Sequence, residues 1–165
     1  VSKKLVFFLK YGKKTYLSKI IAEMIFDSLS NSNKLEELIG VDYITYVPLS
    51  KKRLKKRGFN QSQKLAIYFS NKMGIECVDM LIRNKDTKKL HQLNYKERKK
   101  ELKNVFSVDK KFKGEIESKN ILLIDDIFTT ASTVDEISKV LKLNGADKVI
   151  SLTFLTGKYV KDIDI

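Results

Sequence analysis

The sequence predicts an α/β protein with a central parallel sheet flanked by helices. Segments of strand character alternate with segments of helix character along the chain, a pattern typical of parallel sheets built from strand–helix–strand units. Residues 121–124 form an uninterrupted apolar run, as expected of a central strand buried on both faces. With 165 residues, of which 42% are hydrophobic, the chain suits one domain with one substantial core.

The first half of the sequence contains patterns that predict two helices and two strands. Apolar residues at helical spacing predict a helix over 16–29. A β-branched and aromatic run at 43–47 predicts a strand ended by Pro48, and a helix over 60–73 ends before Gly74. A second strand is predicted at 77–82, where Cys77 is expected to be a small buried hydrophobic residue.

The second half continues the alternation. Asn94 and Glu97 form a capping-box pattern, which predicts a short basic helix over 95–103. Strands are predicted at 105–108, 121–124 and 149–155, and a helix at 133–143 that Asn144 and Gly145 end. Because no repeat or linker interrupts the pattern, we expect one domain over residues 1–165.

The positive charge is uneven, within a formal net charge of +13. Residues 1–20 hold six lysines and no acid, residues 51–57 hold six cations in seven positions, and residues 83–113 hold twelve cations and four acids. Two interpretations stand: the blocks meet as a polyanion-binding face, or they are separate solvated surfaces.

Several classes of protein are excluded. No apolar run approaches the ~18–20 residues of a membrane helix, so we expect no membrane insertion. No secretory signal pattern is present. One cysteine rules out a disulfide framework or a cysteine-built zinc site within this chain, and we expect a reducing, cytoplasmic setting.

The segment from 121 to 133 carries the clearest chemistry. A buried strand delivers two carboxylates to the carboxyl edge of the sheet, where ligands bind in open α/β proteins. Hydroxyl side chains and a helix N-terminus follow, and both suit phosphate. The carboxylates suit sugar hydroxyls or a hydrated Mg²⁺, so the segment predicts a site for a ribose 5-phosphate. These residues are Asp125, Asp126, Thr129, Thr130, Ala131, Ser132 and Thr133.

A structural alternative stays open for this segment. Asp125 and Asp126 would only end the strand, and Ser132 or Thr133 would only cap the next helix. Capping needs one such residue, whereas the segment holds two acids and four hydroxyls.

This segment resembles the phosphoribosyl-diphosphate (PRPP) signature of type I phosphoribosyltransferases, a hydrophobic strand followed by two acids and a Thr/Gly-rich loop. It departs from that signature at Ala131, where the family usually has glycine, and at Phe128, where a smaller aliphatic residue is usual.

Other segments resemble ComF-type proteins, the competence-associated branch of that fold. Residues 47–61 (VPLSKKRLKKRGFNQ) are similar to its "VPL…R…RGFNQ" block, and 10–12 to its early "KY-G" element. Its middle block "R…T…L…R…F" falls near Arg83, Thr87, Leu93, Arg98 and Phe106. The resemblance implies a type I phosphoribosyltransferase-like fold with a small hood at roughly 83–113. The family's N-terminal four-cysteine zinc module is absent from this chain.

The resemblance also implies roles for residues. Asp125 and Asp126 would hold the ribose hydroxyls, residues 129–133 the 5′-phosphate, and the loop at 48–52 the pyrophosphate. That loop brings Pro48, Leu49 and Ser50 to the substrate, and Arg53 and Arg57 suit a diphosphate because a guanidinium binds phosphate oxygens bidentately. The alternative is a solvated basic turn. Mg²⁺ would arrive with PRPP.

Three functions remain open from the sequence. The first is a PRPP-binding phosphoribosyltransferase, or a protein for another phosphorylated ribose, acting in DNA uptake during natural competence. The second is a non-catalytic module for single-stranded DNA, and the third a PRPP-sensing regulator. Competence or helicase proteins are expected partners. The residues expected to contact nucleic acid are Lys51, Lys52, Lys55, Lys56 and Arg98.

Overall fold

The computed structural model describes residues 16–87, 93–125 and 132–153. Within them the helices are α1 (Tyr16–Asn31), α2 (Lys51–Arg57), α3 (Gln61–Met73), α4 (Tyr95–Leu102) and α5 (Ser132–Leu143). The strands are β1 (Tyr43–Tyr46), β2 (Glu76–Cys77), β3 (Leu81–Arg83), β4 (Phe106–Val108), β5 (Asn120–Asp125) and β6 (Lys148–Thr153). Two short 3₁₀ turns lie at Lys34–Leu38 and Lys110–Phe112.

The main sheet has four parallel strands in the order β2-β1-β5-β6. β1 and β5 lie side by side in its centre, with Tyr46 beside Ile124, and β6 continues the register with Thr153 beside Asp125. The predicted central parallel sheet flanked by helices is therefore confirmed, and residues 121–124 lie in its middle.

Alternate residues of β5 pack into two different cores, as the two-residue period of a strand requires. Leu122 and Ile124 pack with α1 and α3 on one face of the sheet. Ile121 and Leu123 pack with α5 on the other face. Both faces are covered, which explains why this strand is a continuous apolar run.

Local sequence signals set the helix ends. The Asn60 side chain accepts a hydrogen bond from the Ser62 amide to begin α3, and Gly74 ends that helix at a φ of 68°. Asn94 and Glu97 form the predicted capping box at α4. Glycine is favoured at positive φ because it has no Cβ, and polar caps satisfy the first amides of a helix.

The prediction of one strand at 77–82 is wrong. β2 leaves the main sheet after Cys77, and β3 belongs to a separate antiparallel pair with β4. Between them, the Val78 amide donates to the Ile44 carbonyl at 2.8 Å, and the Met80 carbonyl accepts from the Asp109 amide at 2.8 Å. The segment is extended throughout, but it changes hydrogen-bonding partners midway.

β3, α4 and β4 form the small hood, which begins at Leu81, two residues before the predicted position. Hood side chains such as Leu102 and Phe106 share a core with α5. The Asn104 amide also donates to the Glu136 carboxylate of α5 at 3.2 Å. The hood is thus packed on the same face of the sheet as α5.

Residues 51–57 form a helix rather than the loop or turn that the sequence analysis considers. Ser50 caps α2 and Gly58 ends it at a φ of 82°. The loop after β1 is therefore shorter than the predicted 48–52, because α2 begins at Lys51.

None of the helices in the described ranges combines the length and the apolar character that crossing a membrane demands.

Candidate functional site

The order of the strands marks one position at the carboxyl edge of the sheet. The chain leaves β1 through α2 and α3 to reach β2 on one side, and leaves β5 through α5 to reach β6 on the other. β1 and β5 are adjacent, and the connections that follow them therefore run to opposite sides of the sheet. Such a switch point leaves a crevice outside the strand ends, the usual ligand position in open α/β sheets.

Hydrogen bonds fix the chain on the β1 side of the crevice. The Val47 amide donates to the Ile124 carbonyl at 3.0 Å, which continues the pairing of β1 with β5. The Val47 carbonyl accepts from the Asn60 side chain at 2.9 Å. Pro48 and Ser50 are buried and Leu49 is half-buried. The loop that precedes α2 is consequently fixed beside the end of β5.

Asp125 ends β5 and is only 7% exposed. The alternation of side chains along β5 places it on the same face as Ile121 and Leu123, the face that α5 and the hood cover. A carboxylate this deeply placed needs polar partners, since a buried charge is costly. Asp125 lies at the carboxyl edge of the sheet, where the sequence predicts it, and its role in holding sugar hydroxyls stays a prediction.

Thr153 lies next to Asp125 in the sheet register, and the sequence analysis misses it. The residue is 4% exposed, and its hydroxyl has no hydrogen-bond partner among residues 16–87, 93–125 and 132–153. An unpaired buried hydroxyl is uncommon and calls for an explanation. Threonine is frequent in strands, so only the register with Asp125 could identify it.

The predicted phosphate-binding segment is described in part. Ser132 begins α5 and is buried, and Thr133 follows it half-buried in the first turn of the helix. Asp126, Thr129, Thr130 and Ala131 lie outside the described residues.

Helix α2 separates its cations into two groups. Arg53 and Arg57, four residues apart and hence on one face, are both half-buried, and Arg57 donates to the Gln61 side chain at 3.2 Å. The lysines of this helix, by contrast, are all exposed; they are Lys51, Lys52, Lys55 and Lys56. The two arginines therefore face the body of the protein, whereas the four lysines face solvent.

Arg83 of the hood is half-buried and within electrostatic range of Arg53. Burial is the main cause that lowers the pKa of Arg83 to about 10, and the positive charge of Arg53 is the second, while Asp86 acts in the opposite direction. Positive charge on two different elements, the hood and α2, therefore acts on Arg83 and its surroundings. From the sequence, Arg83 is part of a resemblance and has no assigned role, because no spacing rule connects residues 53 and 83.

Arg98 has a structural contact of its own. Its Nε donates to the Leu93 carbonyl at 2.7 Å, just before α4 begins. This half-buried side chain differs from the exposed lysines of α2, with which the sequence analysis grouped it.

The donors at the crevice fit a magnesium ion that arrives with a substrate. Magnesium keeps several waters and binds through one or two carboxylates together with substrate phosphates. Asp125 supplies a carboxylate of that kind at the strand end. Across the described ranges, no cluster of three or more His, Cys, Asp or Glu residues forms a separate metal site.

Relatives with known names match most of the chain. It is 28% identical over 141 residues to competence protein F of Haemophilus influenzae, and 32% identical over 146 residues to DNA utilization protein YhgH of Salmonella typhi. These alignments cover 85% and 88% of this chain and 61% and 63% of those proteins. It is also 29% identical over 140 residues to competence protein ComFC of Streptococcus pneumoniae, covering 85% of this chain and 56% of that protein. The chain thus spans about three-fifths of the length of the curated relatives it matches.

No family model matches the chain. A solved structure described as the allosteric regulatory enzyme of purine biosynthesis superimposes on 82% of the chain and 25% of its own, with a TM-score of 0.52 and 22% sequence identity. That likeness shows the fold, a type I phosphoribosyltransferase fold with a central parallel sheet. The predicted resemblance is confirmed: the chain is a homologue of competence protein F, competence protein ComFC and the DNA utilization proteins YhgH, built on that fold.

Proposed function

We propose that this chain binds PRPP, together with Mg²⁺, at the crevice between β1 and β5, within a protein that acts in DNA uptake. The observation that carries the proposal is the switch point, beside which Asp125 ends β5 and after which the chain continues into α5. The half-buried Arg53 and Arg57 of α2, the helix that follows β1, support it. The names of the relatives, competence and DNA utilization proteins, support the cellular role.

The chemistry that fits these groups is pentosyl transfer. The bond between ribose C1 and the pyrophosphate oxygen breaks, a nitrogen nucleophile forms a new bond to C1 and gives up a proton, and pyrophosphate leaves. Asp125 accepts hydrogen bonds from ribose hydroxyls, and residues 129–133 hold the 5′-phosphate. Arg53 and Arg57 stabilise the negative charge of the departing pyrophosphate.

Calorimetric titration with PRPP and Mg²⁺ tests the proposal. We expect binding by the wild-type chain and a loss of at least about 10-fold in affinity for Asp125→Asn, because a carboxylate that accepts hydrogen bonds contributes ~1.5–3 kcal/mol. Asp147→Asn is the matched control, since Asp147 is exposed and precedes β6 at the opposite edge of the sheet. Absence of binding at millimolar PRPP, or equal losses in both variants, would contradict the proposal.

A second candidate function is binding of single-stranded DNA through α2. The supporting observation is the row of exposed lysines on that helix, in which no carboxylate of the described residues forms an ion pair. Cations arranged in this way suit a phosphate backbone, and the affinity then falls with salt by a slope of about 0.7 per contacted phosphate.

The separation of lysines from arginines on α2 makes this candidate testable. The variant Lys51→Gln/Lys52→Gln/Lys55→Gln/Lys56→Gln leaves Arg53 and Arg57 in place. We expect it to weaken oligonucleotide binding and to flatten the salt dependence, measured by fluorescence anisotropy, without changing the affinity for PRPP. An unchanged slope would exclude α2 as the DNA-binding surface.

A further inference from the structure

We propose that the open edge of β4 binds an extended acidic segment of a partner protein, which adds a third strand to the hood. The surface is a groove of about 570 Å³, lined by all of β4, by two lysines that follow it and by the end of α5. We call it the β4–α5 groove. None of its lining residues belongs to the crevice between β1 and β5, so the proposal is independent of PRPP binding.

The two strands of the hood exchange hydrogen bonds through alternate residues. At one end of the pair, the Asn84 amide donates to the Val105 carbonyl at 2.8 Å. Hydrogen-bonded pairs recur at every second residue of an antiparallel ladder, so the next such pair is Ile82 with Ser107. The residues on either side of Ser107 therefore direct their backbone groups away from β3.

On β4, those residues are Phe106 and Val108. Their N–H and C=O groups have no hydrogen-bond partner among residues 16–87, 93–125 and 132–153, where the hood sheet has two strands. Both residues line the β4–α5 groove. An unpaired strand edge is a template for a further strand, and many proteins bind extended peptides in this way.

The α5 side of the groove is apolar. Leu143 is 76% exposed, and Val140, one turn before it, is half-buried. Successive side chains of a strand point to opposite faces, so a strand beside β4 turns every second side chain toward one face of the hood. An apolar residue at every second position of the bound segment suits this wall.

Two lysines give the groove its charge. Lys110 and Lys113 line it and are exposed, and neither forms an ion pair with a carboxylate of the described residues. Asp109 also lines the groove, but its carboxylate accepts a hydrogen bond from the Lys111 amide at 3.1 Å. These cations favour a segment that carries carboxylates. They disfavour a second copy of this chain, whose net charge is +13.

Fluorescence anisotropy with labelled peptides tests the charge of the partner. The probe is a short peptide that alternates valine with glutamate, and its counterpart has lysine in place of each glutamate. We expect the full chain to bind the acidic peptide at least about 10-fold more tightly than the basic one. Lys110→Gln/Lys113→Gln should weaken the acidic peptide by about 5-fold or more. Lys64→Gln/Lys72→Gln, the same loss of charge on exposed positions of α3, should change it by less than about 2-fold.

A second pair of variants tests the location. Leu143→Glu places a negative charge in the apolar wall and should weaken the acidic peptide by at least about 10-fold. Ile39→Glu is the matched control, because Ile39 is 81% exposed and lies outside the groove. Both side chains are exposed, so both variants are expected to fold. Equal affinities of the two variants would place the peptide elsewhere and overturn the proposal.

Methylated peptides test the pairing with β4. Only every second amide of an added strand faces its neighbour, so methyl groups on the valine amides and on the glutamate amides should have different effects. We expect one of the two methylated peptides to lose at least about 10-fold in affinity relative to the other. Equal affinities, or no binding of the unmethylated acidic peptide at millimolar concentration, would refute strand addition. Self-association of the chain that Leu143→Glu abolishes would instead assign this edge to a second copy.

Discussion

Several polar residues are buried at the carboxyl edge of the main sheet. Asp125, Ser132 and Thr153 are each at most 7% exposed. A buried hydroxyl that lacks a partner costs stability, and sites that bind ligands often carry costs of this kind. This cost can be tested on two residues that have the same side chain but differ in their hydrogen bonding.

Thr153 and Thr45 form such a pair. Both are buried in the main sheet. The Thr45 hydroxyl donates to the Val78 carbonyl at 2.9 Å, whereas the Thr153 hydroxyl has no partner in the part of the chain that the structure describes. We expect Thr153→Val to raise the free energy of unfolding by about 1 kcal/mol and Thr45→Val to lower it by about the same amount. Urea unfolding measures both, and equal signs would show that the Thr153 hydroxyl is satisfied in solution.

Cys77, the single cysteine, is expected to react slowly. Burial, and secondly the charge of Asp79, raise the pKa of its thiol to about 11. Compared with its ordinary value of 9.0, this leaves roughly 100-fold less thiolate at pH 8. Alkylation by iodoacetamide should be slower by about that factor in the native protein than in urea. Similar rates in both states would contradict the raised pKa.

The same shift has a consequence for stability. Because the thiol holds its proton more tightly in the folded chain, its contribution is complete below about pH 9 and is lost as the pH rises through about 11. Cys77→Ser should therefore reduce the loss of stability between these two pH values, measured as the change in Tm.

At the scale of elements, the junction of β1 with α3 depends on one side chain. Asn60 accepts from the Ser62 amide at 3.1 Å and donates to the Val47 carbonyl at 2.9 Å, while 5% exposed. The first contact caps a helix, and the second fixes the loop beside the crevice. The sequence analysis predicts that α3 starts here, but it could not show the contact with Val47, which lies thirteen residues away.

We expect Asn60→Ala to lower the free energy of unfolding by about 2–3 kcal/mol, the sum of a lost cap and an unpaired buried carbonyl. Asn60→Asp keeps the cap and loses only the donor to Val47, so its loss should be smaller. Asn94→Ala removes an exposed cap and should cost about 1 kcal/mol. A loss for Asn60→Ala no larger than that of Asn94→Ala would assign Asn60 the role of a cap alone.

Much of the fold could be predicted from local patterns, and the failures share a cause. The helices at α1, α3, α4 and α5 follow from apolar spacing and caps, and β5 from its apolar run. The helix at 51–57 has one apolar residue, Leu54, so no hydrophobic period marks it. The split of 77–82 into two strands depends on hydrogen-bonding partners far along the chain, which propensity does not record.

In the candidate site, too, local sequence patterns predict only residues that are close together in the chain. Asp125 and Ser132 are predicted because strand, acid, hydroxyl and helix are adjacent in sequence. Thr153 has no role assigned from the sequence, because only the pairing of β5 with β6 places it beside Asp125. Its position in the tertiary structure, rather than its residue type, identifies it.

On the scale of the whole molecule, the described residues form two cores that share β5. The hood packs into the core on the α5 side, and α1 and α3 form the core on the other side. Since both cores include alternate residues of one strand, neither can separate without exposing β5. We therefore expect the hood and the sheet to unfold together.

Two buried leucines test this expectation. Leu102 lies in hood helix α4 and Leu122 in β5, with 1% and 0% exposure. Each change to alanine should lower the free energy of unfolding by about 2–5 kcal/mol without a separate early transition. The urea unfolding curve measured by circular dichroism should coincide with the curve measured by hydrogen exchange of hood amides. Early exchange of the hood in Leu102→Ala, with an intact sheet, would show that the two unfold separately.

The hydrogen bonds on either side of the change of partners between β2 and β3 fix the length of chain that leads from the main sheet to Arg83. Val78 is tied to the main sheet, Met80 is tied to Asp109, and Arg83 follows Met80 by three residues of extended chain, about 10 Å. The height of the guanidinium above the sheet edge is thus set by a count of residues. One inserted residue would turn Arg83 to the outer surface, and two would keep its direction but move it by about 7 Å. The number of residues between β2 and β3 therefore sets both the side of the hood on which Arg83 lies and its distance from the main sheet.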